Sequence, residues 1–211
     1  LFGIPAAGAV VNPINIRLDA DAIAFILDHG EAKVVLVDTE FGPVVKEALS
    51  KAQVQPLVID IVDEEAPLHG LIGTIEYEEF LDSGDPEEPW TLPQNEWQAM
   101  ALCYTSGTTG NPKGVMLSHG GILSNCEGAQ EILASLVKKE VPVFLTWLPL
   151  SHSYEHTVQY VQISLGAKIF YAESLEKLLA NMSIAKPTMM TAVPRFYQNL
   201  YSKISLNFSK Q

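Results

Sequence analysis

Cysteine is scarce in this chain of 211 residues, and the two that are present, Cys103 and Cys126, have no ligand spacing between them. Because there is no CxxC pair, neither a disulfide scaffold nor a zinc ribbon is indicated, and a reduced, cytoplasmic setting is expected. Cys103 lies between Leu102 and Tyr104 in an apolar run. We therefore interpret it as small core packing and not as a nucleophile.

Long hydrophobic runs are also missing. The longest apolar stretches, such as Val141 to Leu150 and Ala32 to Val37, are far shorter than the roughly 20 residues that a membrane-spanning helix needs. We therefore expect no transmembrane segment, which leaves peripheral contact with a membrane open. Leu1 to Pro13 has no basic leader, so we expect a truncated end there and not a signal peptide.

Basic residues are absent from one long segment. The formal net charge is -12, and between Asp60 and Glu88 there are eleven acidic side chains and no Lys or Arg. Outside that stretch, fourteen acids face thirteen bases, so no basic stripe is available for a nucleic-acid backbone. We exclude nucleic acid as a partner and interpret residues 60–98 as an acidic, solvated excursion over the surface.

Helical and strand-like patterns alternate along the chain. The predicted helices are Asp19–His29, Pro43–Ala52, His119–Val137, His152–Leu165, Leu175–Met182 and Arg195–Ile204. The predicted strands are Lys33–Asp38, Gln55–Ile61, Met100–Thr105, Val141–Trp147, Ala167–Tyr171 and Thr188–Val193. Gly30 is expected as a left-handed cap, and the inward side chains of the third helix are expected to be Ile122, Ala129, Ile132, Leu133 and Leu136. The alternation predicts an α/β fold with a mostly parallel sheet flanked by helices.

Three glycines, four hydroxyl residues and one lysine are concentrated in Tyr104 to Gly114, directly after a predicted strand. Glycines allow backbone angles that bring consecutive N–H groups toward a ligand, and small hydroxyls add donors without bulk. Charge-assisted hydrogen bonds contribute about 1.5 to 3 kcal/mol each, so a few such donors and a lysine can hold a triphosphate. The pattern predicts an exposed phosphate-binding loop over residues 104–114.

The spacing within this loop excludes several better-known motifs. Gly107 is followed by Gly110, and Lys113 precedes Gly114, which is not the order of a Walker P-loop. The dinucleotide pattern G-x-G-x-x-G is absent, and no G-x-S-x-G elbow surrounds Ser106. A flexible surface loop rich in Ser, Thr, Gly and Pro is the remaining alternative.

The run YTSGTTGNPKGV resembles the signature of the adenylate-forming, or AMP-binding, superfamily, which includes the acyl-CoA synthetases. Gly8–Pro13 (GAVVNP), Trp147–His152 (WLPLSH) and Thr191–Pro194 (TAVP) resemble further elements of that family. The resemblance implies ATP-dependent activation of a fatty or other carboxylic acid to an acyl-adenylate and then an acyl-CoA. ATP, Mg²⁺ and coenzyme A as co-substrate are the ligands that it implies.

The same resemblance implies roles for individual residues. The phosphate-binding set would be Thr105, Ser106, Gly107, Thr108, Thr109, Gly110 and Lys113. Lys113 and His152 would be the catalytic residues, with His152 beside the carboxylate substrate. An imidazole at the start of a helix can contact a carboxylate and change charge near neutral pH, although a helix-capping or core histidine is the alternative.

Different parts of the chain resemble different branches of the family. The segments LPLSHSYEH and VPRFYQNLYSKI resemble long-chain fatty acid–CoA ligases, whereas Gly8 to Phe41 and the acidic stretch resemble the medium-chain and plant-type acyl-activating branch. The family's later elements, including its carboxy-terminal lid domain, are not found after Val193. Residues 1–211 are thus expected to be a partial AMP-binding amino-terminal domain that is inactive alone.

Two other interpretations stay open. The chain could be a non-catalytic, truncated fragment that binds nucleotide weakly. Alternatively, His152, Glu155 and His156 match the H-x-x-E-H pattern of inverted zinc peptidases, in which both histidines lie on one helix face. A catalytic zinc would also need a third protein ligand.

Overall fold

The computed structural model describes residues 1–63, 70–90, 92–105, 111–137 and 140–208. The chain divides into two compact units, Leu1–His119 and Gly120–Gln211. Both combine helices with β-strands, which confirms the predicted α/β class. Among the described residues, no helix has the length and apolar character that crossing a membrane requires.

The first unit has helices at Gly3–Ala6 (α1), Ala20–His29 (α2), Gly42–Lys51 (α3) and Tyr77–Asp82 (α4). Its strands are Val34–Asp38 (β1), Leu57–Ile61 (β2), Ile75–Glu76 (β3), Ala99–Thr105 (β4) and Lys113–Ser118 (β5). Helix α5, His119–Val137, begins at the boundary. The second unit continues with strands Val143–Thr146 (β6) and Lys168–Tyr171 (β7), and with helices Ser153–Ser164 (α6), Leu178–Ala185 (α7) and Pro194–Phe208 (α8).

A capping residue determines where helix α2 begins. The side chain of Asp19 accepts a hydrogen bond from the Ala22 N–H at 2.9 Å, which caps the first turn. At the other end the expectation of a left-handed Gly30 is wrong, because Gly30 has φ -87° and the left-handed residue is Glu31 at φ 50°. The buried face of α2 packs against α3 through Ala20, Ile23, Ala24, Leu27 and Ala48.

The sheet β1–β2–β3 is parallel throughout, with Val34 opposite Leu57 at the start of its first pair. Asp60, on β2, departs from the expected solvated acidic excursion because it is only 1% exposed. Its carboxylate accepts the N–H of Ile72 at 3.1 Å and of Gly73 at 2.7 Å. This acidic side chain therefore organises the connection to β3.

Strands β4 and β5 form an antiparallel pair, and Val11 forms a parallel bridge to Ala101 of β4. The sequence analysis assigned Lys113 and Gly114 to a loop and did not predict β5. The short run Lys113–Ser118 carries only a weak alternating pattern after the glycines, so its strand state depends on pairing with β4.

In the second unit, β6 pairs in parallel with β7. The predicted strand Thr188–Val193 is wrong, since only a single bridge joins Met189 to Phe144 of β6. Thr191 satisfies its polar groups through side-chain contacts instead, with its hydroxyl bonded to Glu155 and its carbonyl to Trp147. Residues 188–193 therefore pair with β6 at Met189 but do not form a continuous ladder of hydrogen bonds with it.

The predicted inward face of α5 is only partly correct. Ile122 and Cys126 are buried, whereas Ile132 is 78% exposed and Leu136 68% exposed. These two side chains are not covered by any surface among the described residues. The core of the second unit is formed elsewhere, by Leu145, Leu178 and Ala185 with the half-buried side chains around them.

Candidate functional site

The antiparallel pair brings the two ends of the predicted phosphate-binding loop together. Thr105, the last residue of β4, is the register partner of Lys113, the first residue of β5. Such partners have Cα atoms about 4.5 to 5.5 Å apart. Both side chains are exposed. Ser106, Gly107, Thr108, Thr109 and Gly110 lie outside the described residues.

Lys113 is available to an anion. Its side chain is exposed and forms no ion pair with any residue that the structure describes. By contrast, Lys51 Nζ forms ion pairs with Asp21 Oδ1 at 2.8 Å and Glu47 Oε1 at 2.7 Å, and these carboxylates raise the pKa of Lys51. A free ammonium beside the exposed Thr105 hydroxyl suits the terminal oxygens of a polyphosphate.

Tyr104, the residue before Thr105, is anchored to helix α2. Its hydroxyl lies 2.7 Å from His29 Nδ1, and the two rings meet edge to face with centroids 5.8 Å apart. Partial burial raises the pKa of Tyr104, which keeps the phenol protonated and able to donate. The sequence analysis missed His29, because 75 residues separate the partners and no local pattern links them.

Gly114 lies close to the side chains of two residues on β4. A Cβ placed there would lie 2.9 Å from Leu102 Cδ1 and 3.3 Å from Tyr104 Cζ. The glycine thus lets β5 pass against the tyrosine ring at the base of the candidate loop. Cys103, next to Tyr104, is 2% exposed, and burial raises the pKa of its thiol. Both facts agree with the packing interpretation, since a reactive cysteine is accessible and has a lowered pKa.

His152 lies in the second unit and is exposed immediately before α6. Its Nδ1 accepts a hydrogen bond from the Tyr154 N–H at 3.2 Å, so it caps this helix. An accepting Nδ1 in a neutral imidazole assigns the proton to Nε2. The capping and substrate-contact interpretations are therefore compatible, because Nε2–H can still donate to a carboxylate oxygen.

Glu155 and His156 differ from His152 because both are completely buried. Glu155 Oε2 accepts from the Thr191 hydroxyl at 2.8 Å. Burial raises the pKa of Glu155 and lowers that of His156, so both groups favour the neutral form. Within the described ranges, no three His, Cys, Asp or Glu residues are grouped as metal ligands, so the geometry does not supply the third ligand that the zinc alternative needs.

A buried polar layer fastens α6 to β6, and the sequence analysis did not anticipate it. Thr146 Oγ1 accepts from Gln159 Nε2 at 3.0 Å and from Gln162 Nε2 at 3.2 Å. The Tyr171 hydroxyl donates to Gln159 Oε1 at 2.8 Å. Two glutamines on one helix face, read alone, are typical of a solvated surface, so only the packing identifies them as core.

Relatives of known activity share much of this sequence. An acetate–CoA ligase of Humulus lupulus is 45% identical over 165 residues, which are 72% of this chain and 28% of that protein. A peroxisomal acetate/butyrate–CoA ligase of Arabidopsis thaliana is 45% identical over 132 residues, which are 57% of this chain and 23% of that protein. The chain therefore spans about a quarter of the length of these relatives.

The fold has a counterpart among solved structures. The ATP-bound MatB of Rhodopseudomonas palustris superposes with a TM-score of 0.71 at 23% identity, covering 92% of this chain and 36% of that one. At this identity the likeness establishes the fold alone. A protein-family profile described as AMP-binding enzyme matches residues 1–211. The chain belongs to the AMP-binding enzyme family.

Proposed function

We propose that this chain is part of a larger enzyme that activates a carboxylic acid with ATP. In the first step a carboxylate oxygen attacks the α-phosphate, the bond to the β-phosphate breaks, and an acyl-adenylate and pyrophosphate form. In the second step the coenzyme A thiol attacks the acyl carbon, loses its proton and releases AMP. The lengths of the relatives support the larger enzyme, because the chain spans 28% of the acetate–CoA ligase.

One observation carries this proposal. The pairing of Thr105 with Lys113 holds an exposed hydroxyl and an exposed ammonium at the two ends of a segment rich in glycine and hydroxyl residues. Hydroxyl and ammonium groups both donate hydrogen bonds to phosphate oxygens. Family membership supports the same assignment, and the loop residues Ser106 to Gly110 complete the proposed set.

Catalysis in this proposal is mainly electrostatic. The ammonium of Lys113 offsets negative charge that develops on the departing pyrophosphate, and binding aligns the carboxylate with the α-phosphate. Mg²⁺ would be held largely through phosphate oxygens and water, as it commonly is beside nucleotides. His152 Nε2–H would donate to the carboxylate and orient it for attack.

A short-chain acid is the substrate class that the relatives favour, since their names specify acetate and butyrate. A long-chain fatty acid is the second candidate, favoured by the segments LPLSHSYEH and VPRFYQNLYSKI. Exchange of labelled pyrophosphate into ATP, measured with acetate, butyrate and a long-chain fatty acid in turn, separates the two. The acid with the highest kcat/KM identifies the class.

Lys113→Ala in the intact enzyme tests the role of the loop. Loss of one charge-assisted contact of about 1.5 to 3 kcal/mol predicts a fall in exchange of roughly 10- to 100-fold. Lys46→Ala is the matched control, because Lys46 is also exposed but lies on α3. Exchange that is unchanged in Lys113→Ala would remove the loop from its assigned role.

The isolated 211-residue chain is proposed to bind nucleotide without turnover, and calorimetric titration with ATP and Mg²⁺ tests this directly. A heat of binding without exchange activity is expected, and turnover by the isolated chain would contradict it. We propose the cytoplasm as the compartment, although two relatives are named peroxisomal. Fractionation of cells that express the intact enzyme decides between the two.

A further inference from the structure

Thr191 is hydrogen-bonded to residues on both sides of His152. Its hydroxyl donates to Glu155 Oε2 at 2.8 Å, and its backbone carbonyl accepts from Trp147 Nε1 at 2.8 Å. Trp147 stands five residues before His152, and Glu155 stands three residues after it. One residue of a distant segment therefore holds both ends of the stretch that carries His152.

Both contacts are partly buried. Glu155 has no exposed surface, and the half-buried Trp147 ring packs against Phe196 with the ring centroids 5.1 Å apart. Hydrogen bonds in such surroundings are stronger than exposed ones, and a buried group that loses its partner keeps the full cost of desolvation. The two bonds to Thr191 are thus suited to hold a fixed geometry.

Glu155 is a buried acid that accepts a hydrogen bond from Thr191. None of the ion pairs among the described residues includes Glu155, and its Oε1 makes no hydrogen bond of good geometry. Burial raises its pKa, and weaker attractions from Thr191, Thr146 and Gln159 oppose this rise. Glu155 accepts from Thr191 with one oxygen, which the amide oxygen of a glutamine can also do.

The titratable groups around Glu155 do not provide a compensating charge. His156 is adjacent and buried, and burial lowers its pKa. Tyr160 stacks obliquely on the His156 ring with the centroids 5.7 Å apart, and burial raises its pKa to about 12. Tyr171 also has a raised pKa, first through burial and then through the nearby Glu155 carboxyl. Each of these pKa shifts favours the neutral form of its group.

The middle of helix α6 is held by a different set of bonds. Gln159 and Gln162 attach it to Thr146 of β6, and these contacts do not involve Thr191. The contacts of Thr191 consequently act on the entry to the helix, where His152 forms the cap.

We infer that Thr191, acting through Glu155 and Trp147, is a positioning residue for His152. The inference rests on the proposed function, in which His152 contacts the carboxylate of the substrate. The Thr191 hydroxyl orients the first turn of α6, and its carbonyl orients the strand end that precedes His152. The acid, and not ATP, is the substrate whose binding depends on this arrangement.

A double-mutant cycle in the intact enzyme tests the inference. Pyrophosphate exchange is measured for the wild type, Thr191→Val, His152→Ala and the double variant. Thr191→Val keeps the side-chain shape and removes the hydroxyl. Loss of this buried bond is expected to raise KM for the acid about tenfold while KM for ATP changes by less than about twofold. In the His152→Ala background, Thr191→Val should have no further effect on KM for the acid.

Two conservative variants and one matched control complete the design. Thr191→Ser and Glu155→Gln keep the hydrogen bond, so each is expected to stay near wild-type KM for the acid, whereas Glu155→Ala is expected to resemble Thr191→Val. If Thr191→Val does not fold, as judged by circular dichroism, the comparison is made between Glu155→Gln, which keeps the hydrogen bond, and Glu155→Ala, which removes it. Thr157→Val removes a hydroxyl that bonds only within α6, to the Ser153 carbonyl at 2.9 Å, and is expected to leave activity unchanged.

The outcomes separate this inference from the proposed function. If the effects of Thr191→Val and His152→Ala add, or if KM for the acid and for ATP rise together, Thr191 is merely structural and the inference is overturned while the proposed function stands. If the wild type exchanges pyrophosphate with none of the acids, the proposed function fails and the inference fails with it.

Discussion

Gly73→Ala is expected to be strongly destabilising, because the backbone beside it leaves no room for a methyl group. A Cβ at this position would lie 2.4 Å from the Val58 carbonyl oxygen, 2.9 Å from the Val58 carbonyl carbon and 2.8 Å from Asp60 Oδ2. Two of these three atoms are backbone atoms of β2, which is paired with β1 through Val35. β2 cannot move away from the added methyl group without weakening its pairing with β1.

The magnitude follows from two contributions. Overpacking of a closed site costs about 1 to 3 kcal/mol. Displacement of residue 73 also weakens its 2.7 Å bond to Asp60, and a hydrogen bond to a charged group contributes about 1.5 to 3 kcal/mol. Since the two contributions overlap, we expect a loss of about 2 to 4 kcal/mol in the free energy of unfolding.

Gly128→Ala is the matched control. It makes the same chemical change in helix α5, where an added Cβ meets nothing within 4 Å. There the expected effect has the opposite sign, a gain of about 0.5 to 1 kcal/mol, because alanine loses less conformational entropy in a helix than glycine. Asp60→Asn keeps the space and changes the charge, so it separates the steric part of the Gly73 effect from the hydrogen-bond part.

Urea unfolding of the intact protein, followed by circular dichroism, measures these changes. Hydrogen exchange of the β2 amides then shows whether the loss is located at this strand. A Gly73→Ala variant within about 0.5 kcal/mol of the wild type, with unchanged protection of β2, would refute the packing argument.

Three further outcomes can be checked by the same unfolding measurements. Asp19→Ala removes the cap that accepts from Ala22 and should cost about 1 kcal/mol, and no change would mean that α2 does not depend on this cap. Ile59→Ala, at a position with no exposed surface, should cost about 2 to 5 kcal/mol, whereas a loss below 1 kcal/mol would indicate a loosely packed site. Because burial raises the folded-state pKa of Glu155 above its ordinary 4.5, wild-type stability should fall as pH rises from about 4.5 through that pKa. Glu155→Gln should remove this fall, and a stability difference between variant and wild type that does not vary from pH 4 to 8 would contradict the assignment.

Helices that are marked by caps and periodicity within their own residues were predicted well. The sequence analysis placed His119–Val137 with the bounds that the structure has, and Asp19 as the start of α2. Caps and helical periodicity involve residues within one turn of each other, so they can be recognised without the tertiary structure. The glycine-rich run after β4 is also recognised from its own composition, and its role in phosphate binding stays a prediction.

Elements that depend on distant partners were predicted poorly. Residues 188–193 have the composition of a strand, but Thr191 bonds to Glu155 and Trp147 instead of joining a ladder. The strand β5 was missed because its state is decided by pairing with β4. Ile132 and Leu136 have the right periodicity for burial, yet the described residues include no surface that covers them.

The candidate site divides in the same way. Lys113 and His152 were identified from motifs that resemble those of the family, and their roles stay predictions until the variants are measured. The register that pairs Lys113 with Thr105, and the bond between His29 and Tyr104 across 75 residues, come only from the folded chain.

By itself, the sequence determined the alternation of helices and strands, the family and the position of the glycine-rich run, because these depend on residues that are close along the chain. The tertiary structure alone decided that Asp60 is buried, that Glu155 meets Thr191 and that Nδ1 of His152 caps a helix. The physical reason is that burial and hydrogen bonding depend on which distant atoms exclude water from a group. That information resides in the packing of the elements and not in any local run of residues.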